Sequence, residues 1–409
     1  MMNMMSKWDI FNCKKALFVC PHFPLPDRSK LNHTNIPIAL LKIAGYMRGK
    51  GCTVKLCLLS EDNLDVEYDP EVIFINSIFT YWSSHVRHCV NVMRSTYPSA
   101  TIVVGGIYAT LHPEHCKEYT ECDIVYTGLH PPSEQVQPAY DLLPFPCDTQ
   151  IIHTSRGCIR NCKFCSTYKV EPHFICKKTI KDEINKPHIV IYDNNLLANP
   201  YIEDILLELI KLRKQHKIKS VESQSGFDGR IMTPRHARLL YKAGFKNIKI
   251  AWDNDLSDKD MIHEQIQLLI NAGFNPRYIS VFVLFNHDLS FDEVEEKRAC
   301  LFRWGVQITN CRYVPTDCFD DNYNPHKNGQ SEDEYYVHDG WTDALIRQFL
   351  RNCRRHNMCI RFGIKFHSKL FQLKKCPKEF ISKHRLDTYD EVKDFLIDAW
   401  NPAEIHTVK

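Results

Sequence analysis

The strongest constraint on the fold of this chain is a long alternation of short apolar strands with amphipathic helices. Up to residue 128, strand-like runs such as KALFVC (15–20), EVIFINSIF (71–79) and TIVVGG (101–106) are separated by helical segments. A second alternation begins near residue 151 and continues to residue 315. Apolar strands separated by helices are typical of parallel sheets that are covered on both faces. The sequence therefore predicts an α/β protein with two successive parallel units.

The boundaries of these units follow from the stretch between them. Residues 131–150 contain five prolines and no regular periodicity, which is typical of an interdomain linker. We therefore divide the chain into a leader (1–13), a Rossmann-like doubly wound sheet (14–130), the linker (131–150), a second unit (151–315) and a small C-terminal extension (316–409). The second unit has about six βα repeats, which predicts an open, partial (β/α)6 barrel of the TIM type, with chemistry at the strand carboxyl ends.

Composition indicates an ordinary soluble protein. The net charge of +3 is too balanced to favour nucleic acid, although a nucleic-acid partner stays possible. No apolar run approaches the roughly 20 residues that span a bilayer, and the N-terminal residues do not resemble a secretory signal. The 18 cysteines are scattered, mostly singly within apolar runs, so they predict free thiols rather than a disulfide framework. We expect a cytoplasmic protein that works in oxygen-poor conditions.

One cluster of cysteines stands apart from the rest. In CIRNCKFC, Cys158, Cys162 and Cys165 fall within eight positions. Three thiolates would leave one iron of a [4Fe–4S] cluster open for an exogenous ligand. The alternative is a zinc site, which needs a fourth ligand, and His153 or His173 is the nearest candidate.

This motif resembles the cluster-binding motif of the radical S-adenosylmethionine (SAM) superfamily, including the aromatic Phe164 before the last cysteine. The resemblance covers residues 150–315 and implies that the open iron chelates SAM. One electron from the cluster would then cleave SAM to a 5′-deoxyadenosyl radical, so the chemistry would belong to the cofactors. It also implies an external electron donor such as flavodoxin or ferredoxin.

The resemblance further suggests SAM contacts at the strand ends of the second unit, although each of these side chains could instead cap a loop or face solvent. These candidates are Phe164, Asp193, Asn194, Gln224, Arg230, Asp253 and, in a segment whose backbone would line the adenine, Phe285.

The first unit resembles the cobalamin (B12)-binding domain of one large branch of that superfamily. VVGGIYATLHPEH resembles the Gly-Gly strand end of that branch, and PAYDLLPFP resembles its lead-in to the cysteine loop. The implied cobalamin contacts are Gly105, Gly106, Tyr108 and Gly128. Two departures matter, because the chain has no Asp-x-His-x-x-Gly motif and carries Leu129 and His130 in place of the usual acidic turn. A vestigial domain without a cofactor is the alternative.

The C-terminal extension is less informative. Residues 351–369 are rich in Arg, Lys and His, which is typical of a solvated helix face and also of a phosphate-binding surface. Cys353, Cys359 and Cys376 fit no auxiliary cluster. Residues 318–336 are acidic and aromatic, and we expect them to be able to close over the barrel as a lid.

Two classes of function remain. The sequence favours a radical SAM enzyme, either a cobalamin-dependent methyltransferase that acts on an unactivated carbon or an enzyme that uses the same radical for a rearrangement or oxidation. The other class is a non-catalytic zinc or nucleic-acid adaptor. No residue indicates the substrate or a catalytic side chain.

Overall fold

The structure, a computed structural model, describes residues 9–24, 36–59, 67–325, 327 and 330–362. Cys376, residues 1–8 of the expected leader and residues 363–369 of the basic segment lie outside the described residues.

The first unit is a five-stranded parallel sheet with the order β2–β1–β3–β4–β5. Its strands are β1 (Lys15–Cys20), β2 (Thr53–Leu58), β3 (Val72–Ser77), β4 (Thr101–Gly106) and β5 (Ile124–Tyr126). The strand order changes direction between β1 and β3. In doubly wound sheets a ligand binds at the carboxyl edge beside such a switch point.

Helices cover both faces of this sheet, which explains why its strands are apolar throughout. They are α1 (Ile38–Gly49), α2 (Ser83–Thr96), α3 (Ile107–Leu111) and α4 (Pro113–Thr120). Successive side chains of β1 alternate between the faces, so that Phe18 packs in the same cluster as Met47 of α1, while Val19 packs in the same cluster as Met93 of α2.

The second unit repeats the strand–helix alternation after a short antiparallel hairpin. Its strands are β6 (Thr149–Ile152), β7 (Ser155–Arg156), β8 (Ile175–Cys176), β9 (His188–Ile191), β10 (Ser220–Ser223), β11 (Phe245–Lys246), β12 (Ile248–Ala251), β13 (Ile279–Phe285) and β14 (Gln307–Arg312). Its helices are α5 (Thr167–Val170), α6 (Ile202–Lys214), α7 (Pro234–Ala243), α8 (Lys259–Asn271) and α9 (Phe291–Arg303).

The parallel strands of this unit form two hydrogen-bonded groups, β11–β10–β9–β6 and β12–β13–β14. A parallel bridge between Phe227 and Ile250 joins the groups, and the Phe227 amide donates to the Lys249 carbonyl at 2.7 Å. One hydrophobic core runs under both. The prediction of an α/β protein with parallel sheets is confirmed, whereas the closure of the second unit into a partial barrel stays a prediction.

The C-terminal extension packs on this core through α10 (Asp343–Phe362). Gly340, just before this helix, has a φ of +79°, a left-handed conformation that a helix cannot include. The helix therefore begins after Thr342. Cys353 and Cys359 are buried on the inner face of α10, so they behave as core residues.

The segment that was expected to form a lid connects the two units. The Phe319 ring stacks on His115 with 3.6 Å between the ring centroids, and the Ser83 hydroxyl donates to the Phe319 carbonyl at 2.7 Å. Trp82 and Asp320 form an antiparallel bridge. This segment therefore lies against helices that follow β3 and β4 of the first unit. None of the helices within the described ranges is long and apolar enough to cross a membrane.

Candidate functional site

The three-cysteine loop starts where β7 ends and returns to the sheet at β8. Ser155 pairs with Cys176 and Arg156 pairs with Ile175, so a two-stranded hairpin forms the base of the loop. Gly157 begins the loop with a φ of +78°, and a Cβ there would lie 2.4 Å from the carbonyl oxygen of His173. Only glycine fits this close approach without moving the backbone.

Glu171 holds the base of this loop together. Its Oε2 accepts hydrogen bonds from the Gly157 amide at 2.6 Å and the Asn194 side chain at 3.0 Å, and its Oε1 accepts from Arg156 Nη1 at 3.0 Å. Because the Gly157 amide immediately precedes Cys158, this carboxylate fixes the position at which the thiol loop begins. The sequence motif gave no sign of this role.

The thiols themselves are half-buried and close enough to interact electrostatically. Burial raises the pKa of the Cys162 thiol, and Asp253, Cys165 and Cys158 raise it further, while Arg230 opposes them. The Cys165 thiol lies 3.2 Å from the Thr167 hydroxyl. Positive charge on bound iron would offset the mutual repulsion of three thiolates, so the donor set suits an iron–sulfur cluster.

A closed zinc site is not formed by these side chains. Across the described ranges, no three His, Cys, Asp or Glu side chains converge so as to hold one metal ion. A cube places each thiolate on a separate iron and does not need such convergence. His153, one of the two possible zinc ligands, is buried below the loop, with its Nδ1 3.3 Å from Lys42 Nζ.

A buried charge network connects the loop to the first unit. Glu134, from the expected linker, accepts from Lys42 of α1 at 2.9 Å and from Arg156 Nη2 at 2.8 Å. Burial by itself would raise the pKa of the Glu134 carboxyl, but Arg156 and Lys42 outweigh burial and lower it. Residues 131–150 therefore form a packed connection, and Tyr140 within them is buried.

The residues that follow β9 support the loop. Asp193 is fully buried and accepts from the Thr154 amide at 2.7 Å and from the Ser155 hydroxyl at 2.7 Å. Burial raises the pKa of its carboxyl, although these hydrogen bonds lower it in part. Asn194 bonds to Glu171 and lies 3.3 Å from the Thr167 hydroxyl. The structure thus places Asp193 beneath the cysteine loop and Asn194 at its rim.

A second charged group lies beside the cysteines. Asp228 accepts from Arg160 Nε at 2.9 Å, from Arg230 Nε at 2.7 Å and from the Asn195 side chain at 3.2 Å. Burial would raise the pKa of the Asp228 carboxyl, but the hydrogen bonds from Arg230 and Arg160 lower it. Since Arg160 belongs to the cysteine loop, Asp228 joins that loop to the end of β10. Sequence reasoning selected Arg230 and missed Asp228, two positions away.

Asp253 follows β12 and completes this group. Burial raises the pKa of its carboxyl, while the positive charges of Lys297 and Arg230 oppose the rise. Its carboxylate accepts no hydrogen bond from another described residue, so it is available to a ligand amine. Lys297 is fully buried and donates to the carbonyls of Trp252 (3.2 Å) and Asn254.

The other expected SAM contacts lie in different surroundings. Gln224 is exposed, and its amide donates to the Ile191 carbonyl at 2.9 Å. The Phe285 side chain is fully buried against Trp341 and Phe349, so its ring does not face the cysteine loop. The Phe164 ring lies roughly perpendicular to that of His287, which follows β13, with 6.2 Å between centroids.

The expected cobalamin residues lie at the carboxyl edge of the first sheet. Gly106 has a φ of +113°, and a Cβ there would lie 2.1 Å from the Ser77 carbonyl oxygen. The Gly128 amide donates to the Thr110 hydroxyl at 3.0 Å, and a Cβ on Gly128 would meet no atom within 4 Å. The close approach at Gly106 is to the end of the neighbouring strand β3, whereas the open space at Gly128 leaves room for a ligand at this edge.

Two aromatic residues expected near this edge are inaccessible. Tyr108 is fully buried, and its hydroxyl lies 2.7 Å from His115 Nδ1. His130 is buried with its ring 4.2 Å from that of Phe11. Tyr108 therefore packs in the core next to the carboxyl edge, and its side chain is not accessible to a ligand there.

The two candidate sites are carried by elements that pack against each other. Helix α3, which follows Gly106, packs against α5, which follows Cys165. Two segments separated by about sixty positions in the sequence thus bring the glycine edge and the cysteine loop together.

Comparison with known proteins is consistent with this arrangement. No protein-family model matches the chain. A curated relative, cytidylyl-2-hydroxyethylphosphonate methyltransferase of Streptomyces wedmorensis, is 20% identical over 263 residues, which cover 46% of this chain and 45% of the relative. The chain thus spans about half the length of the curated relative that it matches.

Two solved structures of the radical SAM methyltransferase TsrM from Kitasatospora setae have a similar fold. The structure with cobalamin and a [4Fe–4S] cluster has a TM-score of 0.56 and 15% identity over 73% of this chain and 75% of that chain. The structure with tryptophan and a SAM analogue has a TM-score of 0.57 and 14% identity over 74% and 73%. The expected resemblance is confirmed at the level of the fold: this chain has a fold similar to that of the radical SAM methyltransferase TsrM.

Proposed function

We propose that this protein is a radical SAM enzyme that uses cobalamin to transfer a methyl group, with an unactivated carbon as the acceptor. The observation that carries the proposal is the three-cysteine loop, fixed by Glu171 and Asp228 and packed through α5 against the glycine edge of the first sheet. The similar proteins are methyltransferases by name, and TsrM binds cobalamin and a [4Fe–4S] cluster.

Cys158, Cys162 and Cys165 would hold the cluster, which supplies the electron that cleaves SAM. The chain itself would do the positioning. Asp253 would accept the SAM amino group, because this carboxylate has no hydrogen-bonded partner among the described residues and lies within electrostatic reach of Cys162. The Arg230 guanidinium donates to Asp228 through Nε, so its remaining N–H groups would be available to bind a SAM carboxylate or ribose.

We further propose that the two strand groups of the second unit form one open (β/α)6 barrel around this site. The Phe227–Ile250 bridge supports that closure. The first unit would hold cobalamin along the Gly105–Gly106 edge and near Gly128, without an axial histidine from an Asp-x-His-x-x-Gly motif. The free thiols support a reducing, oxygen-poor cytoplasm as the working environment.

The test is anaerobic reconstitution with iron and sulfide, followed by a dithionite-driven assay for 5′-deoxyadenosine. Separate serine substitutions of Cys158, Cys162 and Cys165 should abolish both cluster absorbance near about 400 nm and SAM cleavage. Cys176→Ser is the matched control, because this nearby thiol lies in β8 and should not affect either signal. Equal iron and activity in the three cysteine variants would refute the proposal.

Methyl transfer is tested separately from SAM cleavage. After growth with cobalamin, acid extraction of the purified protein should release about one cobalamin per chain, and methyl-labelled SAM should place label on it. A protein that cleaves SAM but retains no cobalamin would instead be an enzyme of the non-methylating kind, with a vestigial first domain. A colourless protein with one zinc per chain would favour the adaptor.

A further inference from the structure

Four ring side chains form a continuous wall beside the cysteine loop. His287 follows β13, Tyr313 follows β14, and Tyr336 and His338 come from the C-terminal extension. The His287 ring centroid lies 4.4 Å from that of Tyr313 and 5.8 Å from that of His338. The Tyr336 centroid lies 6.1 Å from that of Tyr313, and the Phe164 contact joins His287 to the cysteine loop. We call these four rings the aromatic wall.

The aromatic wall is held in place by Asn286, which is fully buried. The Asn286 side-chain amide donates to the carbonyls of Tyr313 at 3.1 Å and Tyr336 at 3.2 Å, and its Oδ1 accepts from the His338 amide at 2.9 Å. Its φ is +58°, and non-glycine residues in this left-handed region are concentrated at active sites and ligand clamps. The Tyr336 hydroxyl lies 2.8 Å from His338 Nδ1, which orients these two rings. The wall is therefore ordered before any ligand binds.

The rings of the aromatic wall are accessible to a small molecule. The side chains of His287 and His338 are 18% and 25% exposed, and Tyr313 and Tyr336 are half-buried. Burial lowers the pKa of the His287 ring, although the adjacent Asp288 raises it in part. Burial thus favours the neutral imidazole, so His287 presents a ring without a positive charge.

Two carboxylates border the aromatic wall. Asp288 lies 3.7 Å from His287 Nδ1 and 3.6 Å from His338 Nε2. Asp317 is exposed, and it lies close enough to Tyr313 that it raises the pKa of this phenol, after burial and together with Asp288. Within the described ranges, neither carboxylate has a lysine or arginine partner. Both are therefore available to a positively charged ligand.

The arginine that reaches this region is already neutralised. Arg312 donates to the Tyr336 carbonyl at 3.3 Å, and its guanidinium forms a two-point ion pair with Asp321, whose side chain is only 2% exposed. It also lies over the Tyr323 ring, 4.6 Å from the centroid. Since the charge of Arg312 is compensated by Asp321, Asp288 and Asp317 give the surroundings of the wall a negative charge.

We infer that the aromatic wall, together with Asp288 and Asp317, binds the methyl acceptor through a positively charged amino group. The inference rests on the proposed function and names its substrate class as an amine. Ring faces attract a cation, and carboxylates supply the opposite charge and accept hydrogen bonds from an ammonium group. A phosphate or carboxylate at the same position would be repelled. The contact between His287 and Phe164 keeps such an acceptor next to the loop at which the radical would form.

The first experiment measures binding to the full-length chain before cluster reconstitution, so it needs neither SAM nor a radical. Three probes of the same size are titrated by saturation-transfer NMR: phenethylamine, which is a cation at neutral pH, 2-phenylethanol, which is neutral, and 3-phenylpropionate, which is an anion. Phenethylamine should bind about fivefold more tightly than 2-phenylethanol at low salt, and 3-phenylpropionate should bind most weakly. Added salt should reduce the preference, because it screens partly exposed charges.

The double variant Asp288→Asn/Asp317→Asn should weaken phenethylamine binding by about fivefold, because two partly exposed ion pairs are lost. Its affinity for 2-phenylethanol should not change, since the neutral probe forms no ion pair. Tyr313→Leu should weaken phenethylamine binding by about threefold, since it removes one ring face from the wall.

The matched control is Glu121→Gln/Asp182→Asn, which changes the net charge by the same amount. Both residues are exposed, and they precede β5 and β9, at the edge of each sheet opposite the strand carboxyl ends. This control should bind all three probes as the wild type does.

The second experiment separates the aromatic wall from the SAM site. Equilibrium dialysis of SAM against the reconstituted protein should give the same affinity for Asp288→Asn/Asp317→Asn and for the wild type, because these carboxylates bind the acceptor. If the wild type does not cleave SAM with dithionite, the proposed function fails, whereas the probe titration still decides whether the wall binds amines.

The inference is overturned if the three probes bind the wild type equally, or if the double variant binds phenethylamine as tightly as the wild type does. It is also overturned if the control weakens binding equally, because net charge would then be responsible. A loss of SAM affinity in the double variant would likewise overturn it, since the carboxylates would then belong to the SAM site.

Discussion

Replacing Glu171 with glutamine should release the cysteine loop from its base. The carboxylate accepts from Arg156, from the Gly157 amide and from Asn194, and all three are donors. Glutamine offers one oxygen in place of two, so its NH2 group must face one of these donors. The hydrogen bond that is lost is then either the one from Arg156 or the one from the Gly157 amide.

The size of this effect follows from burial. Breaking a buried ion pair costs about 3–5 kcal/mol. The Glu171 and Arg156 side chains are 11% and 19% exposed, and Arg156 keeps its contact with Glu134, so we expect about 2–3 kcal/mol for the closed loop. Since every 1.4 kcal/mol is a factor of ten, the closed loop becomes less favoured by roughly 30- to 150-fold.

Cluster loss to an iron chelator measures this difference. The rate is followed anaerobically by absorbance near about 400 nm, and Glu171→Gln should lose its cluster at least tenfold faster than the wild type. Glu183→Gln is the control, since Glu183 makes a partly buried ion pair with Lys177 at 2.7 Å that does not involve Glu171, Arg156 or the Gly157 amide. A Glu171→Gln protein that retains its cluster as long as the wild type does would refute the reasoning.

Three further predictions concern neighbouring positions. Gly106→Ala should destabilise the first unit by about 1–3 kcal/mol and reduce cobalamin retention, because the new Cβ would lie 2.1 Å from the Ser77 carbonyl oxygen. Thermal unfolding measures the loss of stability, and extraction measures the cobalamin that is retained. Gly128→Ala is the control and should have a smaller effect, because a Cβ there meets no atom within 4 Å. Asp228→Asn should weaken SAM binding by about tenfold, because one charged hydrogen bond to Arg230 or Arg160 is worth roughly 1.5–3 kcal/mol; equilibrium dialysis of SAM tests this, and unchanged affinity contradicts it. Glu134 has a lowered pKa in the folded protein, so its ion pairs stabilise the fold fully above its usual value of 4.5 and lose this effect as the pH falls through the folded value; Glu134→Gln should therefore be less stable near neutrality and show a shallower acid limb in unfolding against pH.

The buried charge network beneath the cysteine loop has a positioning role. Lys42, Glu134 and Arg156 come from α1, from the linker and from β7, and they connect the first unit to the base of the cysteine loop. A shift of α1 would therefore be transmitted to the base of the cysteine loop through Glu134. This gives the proline-rich stretch a structural role that its composition does not indicate.

Much of the site was open to sequence reasoning. Cys158, Cys162 and Cys165 could be proposed as cluster ligands from the sequence, because such ligands come from one short loop and their spacing is therefore visible in the sequence. Gly106 was recognisable because a strand that ends in two glycines indicates a close approach of backbone. Glu171 and Asp228 were not recognisable, since each is a single acidic residue whose partners are chosen by the fold.

The sequence by itself determined the two parallel units, because the periodicity of apolar residues reports which local structure can bury them. It also suggested the three thiols that we propose as the donor set of the cysteine loop. Only the tertiary structure decided that α3 meets α5, that Phe319 stacks on His115 and that Phe285 faces the core. The physical reason is that local periodicity records the conformation of a segment, whereas contacts between distant segments depend on how whole elements pack, and many sequences satisfy the same packing.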